Sequence, residues 1–144
     1  MAIEFQVTFD CAEPAAQAAF WAAALDYQLQ PPPDGHASWA AWGASVGLSP
    51  AEVADFAAAI DPTGEGPRLF FQRVPEGKVA KNRVHLDVNV GGGHATPEAE
   101  RQALVTEAVD RLVGLGATKL RELTDPTGHC VVMTDPEGNE FCLQ

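Results

Sequence analysis

The sequence predicts an α+β fold in which two βαβββ modules in tandem form one curved mixed sheet around a central cleft, with the helices outside. The length of 144 residues is typical of a single domain with its own hydrophobic core. The predicted elements run strand, helix, strands, linker, strand, helix, strands. The two halves can also be aligned, since residues 6–9 match residues 85–88 and residues 71–72 match residues 141–142.

The first module is predicted to begin with a strand over residues 3–11, where apolar and polar residues alternate loosely. A helix over 15–25 follows Pro14, because proline is favourable in the first turn of a helix. A loop over 31–35 leads to two short predicted strands within 38–49. The segment Ser49-Pro50-Ala51-Glu52 predicts a second helix reaching about residue 60, and a strand over 68–74 closes the module.

The second module is predicted to follow a linker at residues 75–78. Residues 83–90 have the clearest period-two pattern in the chain, which is typical of a strand. A long helix starts near Thr96 and ends at Gly116, where a left-handed cap favours glycine. Three strands follow, over 117–123, 129–134 and 139–143, with a turn at 135–138. We therefore expect one domain, 1–144, made of modules 1–76 and 77–144, with any ligand site in the cleft between them.

Composition excludes several function classes. The chain has 9 Lys and Arg against 20 Asp and Glu, a net charge of −11, so it lacks the basic surface that nucleic-acid binding requires. The N-terminal segment MAIEFQVTFD resembles neither a signal peptide nor a membrane span. Three cysteines without CxxC spacing argue against a disulfide scaffold or a structural zinc knot, and a cytoplasmic location is expected.

Three segments carry a resemblance to a known family. They are Glu13-Pro14 with Phe20-Trp21 and Leu25, the segment NRVHLDV at 82–88, and the segment DPEGNEFC at 135–142. With these segments the chain resembles the glyoxalase, bleomycin-resistance and extradiol-dioxygenase family, the vicinal oxygen chelate superfamily, and in detail its glyoxalase-like branch. The resemblance covers nearly the whole chain. It implies the tandem βαβββ fold, a small-molecule ligand or substrate, and a homodimer.

The resemblance also implies a metal site, because metal-using members hold a divalent ion with side chains from the first and last strands of each half. Transferring those positions gives Gln6, Gln72, His85 and Cys142. This donor set departs from the family pattern, since Cys142 stands where a glutamate is expected and a hard cation favours carboxylates. Glu140 is an alternative ligand or base, because strand alternation places it on the same face as Cys142. Zinc, manganese, iron and nickel are the candidate ions.

The aromatic residues favour a second kind of site. Three tryptophans are many for this length, and aromatic walls suit a planar or apolar ligand. Most of this aromatic area is expected in the core, and Trp39 and Trp42 are the best candidates for lining a pocket. Phe71 and Asp87 are further pocket-lining candidates.

Two functions remain open from the sequence. The first is a glyoxalase-like small-molecule-binding protein without a complete metal site, favoured by the missing carboxylate and the two glutamines. The alternative is a divalent-metal-dependent lyase, isomerase or dioxygenase acting on a small carbonyl or catechol-like substrate, with His85 as the anchoring ligand. A purely structural or interaction module is the third class, and it requires an apolar surface patch.

Overall fold

The structure is a computed structural model that describes residues 4–92, 95–125 and 128–144. The chain divides into two compact units, Met1–Gly77 and Lys78–Gln144. Each unit has its own four-stranded mixed sheet and its own helices. The predicted α+β class and the two tandem modules are confirmed.

The first unit has the strand order β1-β4-β3-β2. β1 is parallel to β4, and the other neighbours are antiparallel. Its elements are β1 (Gln6–Cys11), α1 (Pro14–Ala24), β2 (Gln28–Leu29), α2 (Trp39–Ser45), α3 (Pro50–Ala54), β3 (Phe56–Ile60) and β4 (Arg68–Arg73).

Helix α1 covers one face of the first sheet. It starts with Pro14, whose missing N–H leaves no backbone donor unsatisfied, and it packs on β3 and β4. Trp21 on the helix contacts Phe9 of β1 at a ring-centroid distance of 5.3 Å, and Phe9 stacks on Phe71 at 5.1 Å. Phe71 and Leu69 are buried in this core. Because side chains alternate along a strand, Arg68, Phe70 and Gln72 project from the other face.

The second unit repeats the βαβββ order with the sheet β5-β8-β7-β6, in which β5 is parallel to β8. Its core lies between helix and sheet, where Leu112 and Val105 pack with Met133, Phe141 and Leu143. Its elements are β5 (Leu86–Val88), α4 (Glu98–Gly114), β6 (Thr118–Asp125), β7 (Gly128–Thr134) and β8 (Glu140–Leu143).

Asp135 organises the turn between β7 and β8. Its buried carboxylate accepts hydrogen bonds from the backbone N–H of Glu137 (2.9 Å) and Asn139 (3.0 Å) and from the Asn139 amide (2.8 Å). Gly138 adopts φ 86°, a left-handed conformation that glycine takes without strain. The turn that joins β7 and β8 is therefore held by side chains of the DPEGN segment itself.

Two predictions for the first unit are wrong. Residues 38–49 contain helix α2 rather than two strands, because the Ser38 hydroxyl caps the helix by accepting a hydrogen bond from the Ala41 N–H at 3.0 Å. The helix predicted over 49–60 ends at Ala54, and β3 occupies Phe56–Ile60. Alanine-rich β3 has a local preference for helix, but it pairs with strands on both sides and lies under α1, and these tertiary contacts outweigh propensity.

The register of the two parallel pairs differs from the alignment made on the sequence. Phe71 pairs with Phe9, and the corresponding Phe141 pairs with Leu86. By this register Thr8, rather than Gln6, corresponds to His85, and Asp10 corresponds to Asp87. A shift of two residues keeps every side chain on its face, so the period-two pattern could not distinguish the two alignments.

Among the residues that the structure describes, no helix has both the length and the apolar character needed to cross a membrane.

Candidate functional site

The first unit carries an aromatic patch, formed by Trp39, Trp42, Phe56 and Phe70. Phe56 and Phe70 stack with their ring centroids 6.2 Å apart. Both tryptophans meet Phe56 edge-on, at 6.2 and 6.3 Å, and each other at 5.4 Å. All four side chains are half-buried, so part of each ring remains accessible. The patch therefore has the apolar, planar character that aromatic ligands bind.

The patch exists because α2 holds both tryptophans beside β3. Trp39 and Trp42 are three residues apart, which places them on one side of the helix. The indole N–H of Trp39 donates to the Gln30 carbonyl at 2.9 Å and so fixes the ring against the chain that follows β2. Sequence reasoning identified the tryptophans, but it missed α2 and could not show what they contact.

Arg68 lies at one end of the patch. Its guanidinium carbon is 4.9 Å from the centroid of the Phe70 ring, within cation–π distance. Its Nε donates to the Gln30 side-chain oxygen at 2.7 Å, and one terminal nitrogen donates to the Gln6 side-chain oxygen at 2.8 Å. Burial lowers the pKa of Arg68, although an arginine stays charged at physiological pH. Sequence reasoning did not single out this residue.

The structure distributes the predicted pocket residues over different places. Trp39 and Trp42 lie in the aromatic patch. Phe71 is fully buried and stacks on Phe9 beneath α1, so it belongs to the core, while its neighbour Phe70 takes the position in the patch. Asp87 lies in the second unit, beside His85 and Cys142.

Gln6 and Gln72, the two predicted ligand positions of the first unit, are not brought together. Gln6 pairs with Arg68 and Gln72 pairs with Asp10, so they lie four residues apart along the β1–β4 pair, roughly 13 Å. The Gln6 oxygen accepts a hydrogen bond from Arg68, and the Gln72 amide donates to Asp10 at 2.7 Å. Each glutamine thus binds a charged neighbour on its own sheet.

In the second unit, the structure brings together three groups of the kinds that ligate metals. One nitrogen of His85, one oxygen of Asp87 and the sulfur of Cys142 all lie within 4.8 Å of one another. The strands explain the grouping, because Asp87 pairs directly with Cys142 and shares a face with His85 two residues before it. His85 Nε2 is 3.4 Å from Asp87 Oδ1. We call these three residues the His–Asp–Cys cluster.

The Cys142 thiol holds its proton unusually tightly. Burial, the largest cause, and the neighbouring groups of Cys130 and Asp87 together raise its pKa from 9.0 to about 11. Cys130 lies on β7, next to β8, two residues from the partner of Cys142. Without a metal, Cys142 is therefore a neutral thiol near pH 7, and a cation would have to displace its proton.

Glu140 is engaged elsewhere. Its carboxylate lies 2.5 Å from the Lys81 ammonium, and its backbone N–H donates to the Asn82 side chain at 3.2 Å. The hydrogen bond from Lys81 lowers the pKa of Glu140. A carboxylate with a lowered pKa is a weaker base, and this ion pair competes with any role of Glu140 as a metal ligand.

The donor set fits a borderline or soft ion better than a hard one. Zinc accepts Cys sulfur, His nitrogen and Asp oxygen, whereas manganese and magnesium prefer oxygen donors. Tetrahedral zinc needs its ligand atoms roughly 3.3–3.8 Å apart, given metal–ligand distances of about 2.0–2.3 Å. His85 and Asp87 side chains are about half exposed, at 49% and 52%, and can rotate by the required distance. His85, Asp87 and Cys142 are thus the residues that would hold an ion.

A separate groove of about 270 Å³ lies between α4 and the β6–β7 strands of the second unit. Its floor is apolar and its rim carries the Lys119–Glu122 ion pair and His129, whose ring is 3.0 Å from the Thr124 hydroxyl. It lies on the helix side of the sheet, whereas the His–Asp–Cys cluster projects from the other face. Its lining comprises Thr106, Val109, Asp110, Val113, Lys119, Glu122, His129 and Val131.

Comparison with protein families gives one full-length match. The profile of the glyoxalase-like domain matches residues 6–144, which is nearly the whole chain and both units. The chain belongs to the glyoxalase-like domain family. A search of curated proteins finds no match for this glyoxalase-like chain.

Solved structures share the glyoxalase-like fold at low sequence identity. A fosfomycin resistance protein from Listeria monocytogenes, solved with Mn(II) and a dihydroxypropylphosphonic acid, has a TM-score of 0.66 at 11% identity, covering 100% of this chain and 92% of that one. A glyoxalase/bleomycin resistance protein/dioxygenase family enzyme from Burkholderia phytofirmans has a TM-score of 0.62 at 15% identity, covering 96% of this chain and 94% of that one. The bleomycin-binding protein of Streptomyces verticillus, solved with copper(II)-bleomycin, has a TM-score of 0.53 at 17% identity, covering 100% of this chain and 96% of that one. These likenesses show the fold.

Proposed function

We propose that this glyoxalase-like protein binds a small planar organic molecule on the aromatic patch of its first unit. The observation that carries the proposal is the continuous contact of Trp39, Trp42, Phe56 and Phe70, each half-buried and beside the cation of Arg68. Aromatic rings that only filled a core would be fully buried, as Phe71 and Trp21 are. A ring stacked on the patch would bury apolar area, and each Å² buried would contribute about 25 cal/mol to the free energy of binding.

Binding without chemistry is also supported by the first unit. Gln6 and Gln72 each hydrogen-bond a charged neighbour, and they lie four residues apart. The bleomycin-binding protein with the same fold is a precedent for this kind of function. We extend the proposal to a cytoplasmic homodimer, and sedimentation velocity on the purified chain tests the dimer.

Tryptophan fluorescence tests the proposal, because all three tryptophans lie in the first unit and only two belong to the patch. We expect a panel of planar molecules, including copper(II)-bleomycin, to contain ligands that quench the emission in a saturable way. The double variant W39F/W42F keeps Trp21, which is buried, and should show no saturable quenching. The matched variant Trp21→Phe should keep the response.

Circular dichroism of each variant shows whether the fold is retained. Saturable quenching of equal size in W39F/W42F would place the ligand away from the patch and contradict the proposal. So would a panel in which no molecule quenches the wild-type protein.

A second candidate function is a metal-dependent enzyme, a lyase or dioxygenase acting on a small carbonyl or catechol-like substrate. The observation that favours it is the His–Asp–Cys cluster, with three donor atoms within 4.8 Å. An ion held there would supply Lewis-acid polarisation of a substrate oxygen. His85 and Asp87, whose Nε2 and Oδ1 lie 3.4 Å apart, would hold the ion together with Cys142, which would release its proton when the ion binds.

Cobalt binding tests this candidate without an activity assay. Cobalt(II) bound by a thiolate gives an intense charge-transfer band in the near ultraviolet, which aqueous cobalt lacks. We expect the band in wild-type protein, its loss in Cys142→Ser and His85→Ala, and its retention in Cys11→Ser, which removes a buried thiol of the first unit. Zinc should displace cobalt, and manganese should not. A band that survives Cys142→Ser would overturn this assignment.

A further inference from the structure

Arg68 has an environment that differs from that of an ordinary structural arginine. Both of its hydrogen-bond partners, Gln30 and Gln6, are neutral amides, and its third neighbour is the Phe70 ring. Among the residues that the structure describes, no carboxylate lies within ion-pair distance of Arg68. Its half-buried charge therefore has no counter-charge among the described residues, and a partly buried charge without one is costly.

Arg73 provides the contrast within the same strand. It projects from the opposite face of β4 and is paired with two carboxylates, Asp55 at 3.0 Å and Glu13 at 3.6 Å. The chain has 20 acidic residues against 9 Lys and Arg, so a carboxylate partner is easily supplied. The neutral surroundings of Arg68 are thus a local property of its face of the sheet.

The neutral partners hold Arg68 in place without neutralising it. A guanidinium has five N–H donors, and Gln30 and Gln6 use two of them, which leaves three for a further acceptor. Gln30 also anchors Trp39 through its backbone carbonyl, so the same residue fixes both the cation and an edge of the aromatic patch. Phe70 links the two, since it lies under Arg68 and stacks on Phe56.

We infer that Arg68 binds the carboxylate of a planar aromatic acid whose ring lies on the aromatic patch. This inference rests on the proposed function and names its ligand class. A carboxylate matches the planar fork of a guanidinium and accepts two hydrogen bonds from it. The ring of such an acid would extend from Arg68 across Phe70 towards the tryptophans. The carboxylate would supply the counter-charge that the described residues do not.

The test compares naphthoate with naphthamide, which has the same ring and nearly the same shape but no charge. Affinities are measured by quenching of the patch tryptophans in wild-type protein, Arg68→Gln, Arg68→Lys and Arg73→Gln. We expect wild-type protein to bind naphthoate at least about tenfold more tightly than naphthamide, the range for a charge-assisted hydrogen bond. Arg68→Gln should remove that preference and leave the affinity for naphthamide unchanged within about threefold.

The other variants separate charge from geometry. Arg68→Lys keeps the charge but loses the planar fork, so it should keep only part of the preference. Arg73→Gln removes a cation of the same strand that already has carboxylate partners, and it should leave the preference unchanged. Circular dichroism shows whether each variant is folded, and Arg68→Lys carries the test if Arg68→Gln is not folded.

The outcomes distinguish this inference from the proposed function. Equal affinity for naphthoate and naphthamide would overturn the role of Arg68 while supporting the aromatic patch as a binding surface. A preference for naphthoate that persists in Arg68→Gln would overturn it as well. Failure of both probes to bind, together with failure of the wider panel described above, would overturn both proposals.

Discussion

The Cys142 thiol provides a quantitative test of the geometry of the His–Asp–Cys cluster. With a pKa of about 11, about one part in a thousand of this thiol is ionised at about pH 8, against about one part in ten for a thiol of pKa 9.0. A thiolate of higher pKa is a better nucleophile, and this raises the rate per thiolate by a factor of about six to ten, which offsets part of the loss in ionised fraction. We therefore expect alkylation of metal-free Cys142 to be about tenfold slower than in the unfolded chain.

The assay is alkylation by iodoacetamide in the presence of a chelator, resolved by mass spectrometry. Cleavage at Glu137 or Glu140 separates the peptide with Cys142 from that with Cys130. The logarithm of the Cys142 rate should rise with pH until about 11, because burial, Cys130 and Asp87 all favour the protonated form. In urea, the alkylation rate of Cys142 should instead level off at a pH near the ordinary pKa of a cysteine thiol.

Removing the charge of Asp87 isolates one of these causes. Asp87→Asn should lower the pKa of Cys142 and speed its alkylation several-fold at about pH 8. Asp10→Asn is the matched control, because Asp10 holds the corresponding position in the first unit and bonds Gln72 instead. A Cys142 rate that levels off near pH 9 in the folded protein, or one unaffected by Asp87→Asn, would refute the geometry on which the argument depends.

Two further predictions concern stability, followed by urea denaturation with far-ultraviolet circular dichroism, because the tryptophans report only on the first unit. Asp135→Ala leaves three donors of the β7–β8 turn without their buried acceptor and should lower the free energy of unfolding by about 2–4 kcal/mol. Asp61→Ala removes a similar acceptor from an exposed turn and should lower the free energy of unfolding clearly less. Equal losses in the two variants would contradict the role of burial. Gln17→Leu should raise the free energy of unfolding by about 1 kcal/mol, because the Gln17 side-chain amide has no hydrogen-bond partner among the described residues and Gln17 is 1% exposed. A loss of stability would instead show that the amide has a partner such as bound water.

Features that depend on neighbouring residues were predictable. The start of α1 at Pro14, the left-handed Gly116 after α4 and the turn at Asp135–Gly138 follow from the conformational preferences of a few adjacent residues. The segments NRVHLDV and DPEGNEFC indicated the family, and the family match covers residues 6–144. His85, Cys142, Trp39 and Trp42 were named as candidates from residue type and position alone.

Features that depend on residues far apart in the chain could not be predicted from the sequence. The strand identity of Phe56–Ile60 comes from pairing with β2 and β4, against the helical preference of its three alanines. The role of Arg68 depends on Gln6 and Gln30, which lie 62 and 38 residues away in the chain. Nothing in the sequence around Arg68 distinguishes it from Arg73, although one lacks a carboxylate partner in the described structure and the other has two.

The sequence by itself determined which residues alternate, where most helices and turns begin, and therefore the class of fold and its family. Only the tertiary structure decided the register of the parallel pairs, and with it that Asp87 lies directly beside Cys142. The physical reason is that side chains on a strand repeat every two residues, so a two-residue slip leaves the pattern of faces unchanged. Contacts between β5 and β8, more than fifty residues apart, select one register, and the chemistry of the cluster follows from that selection.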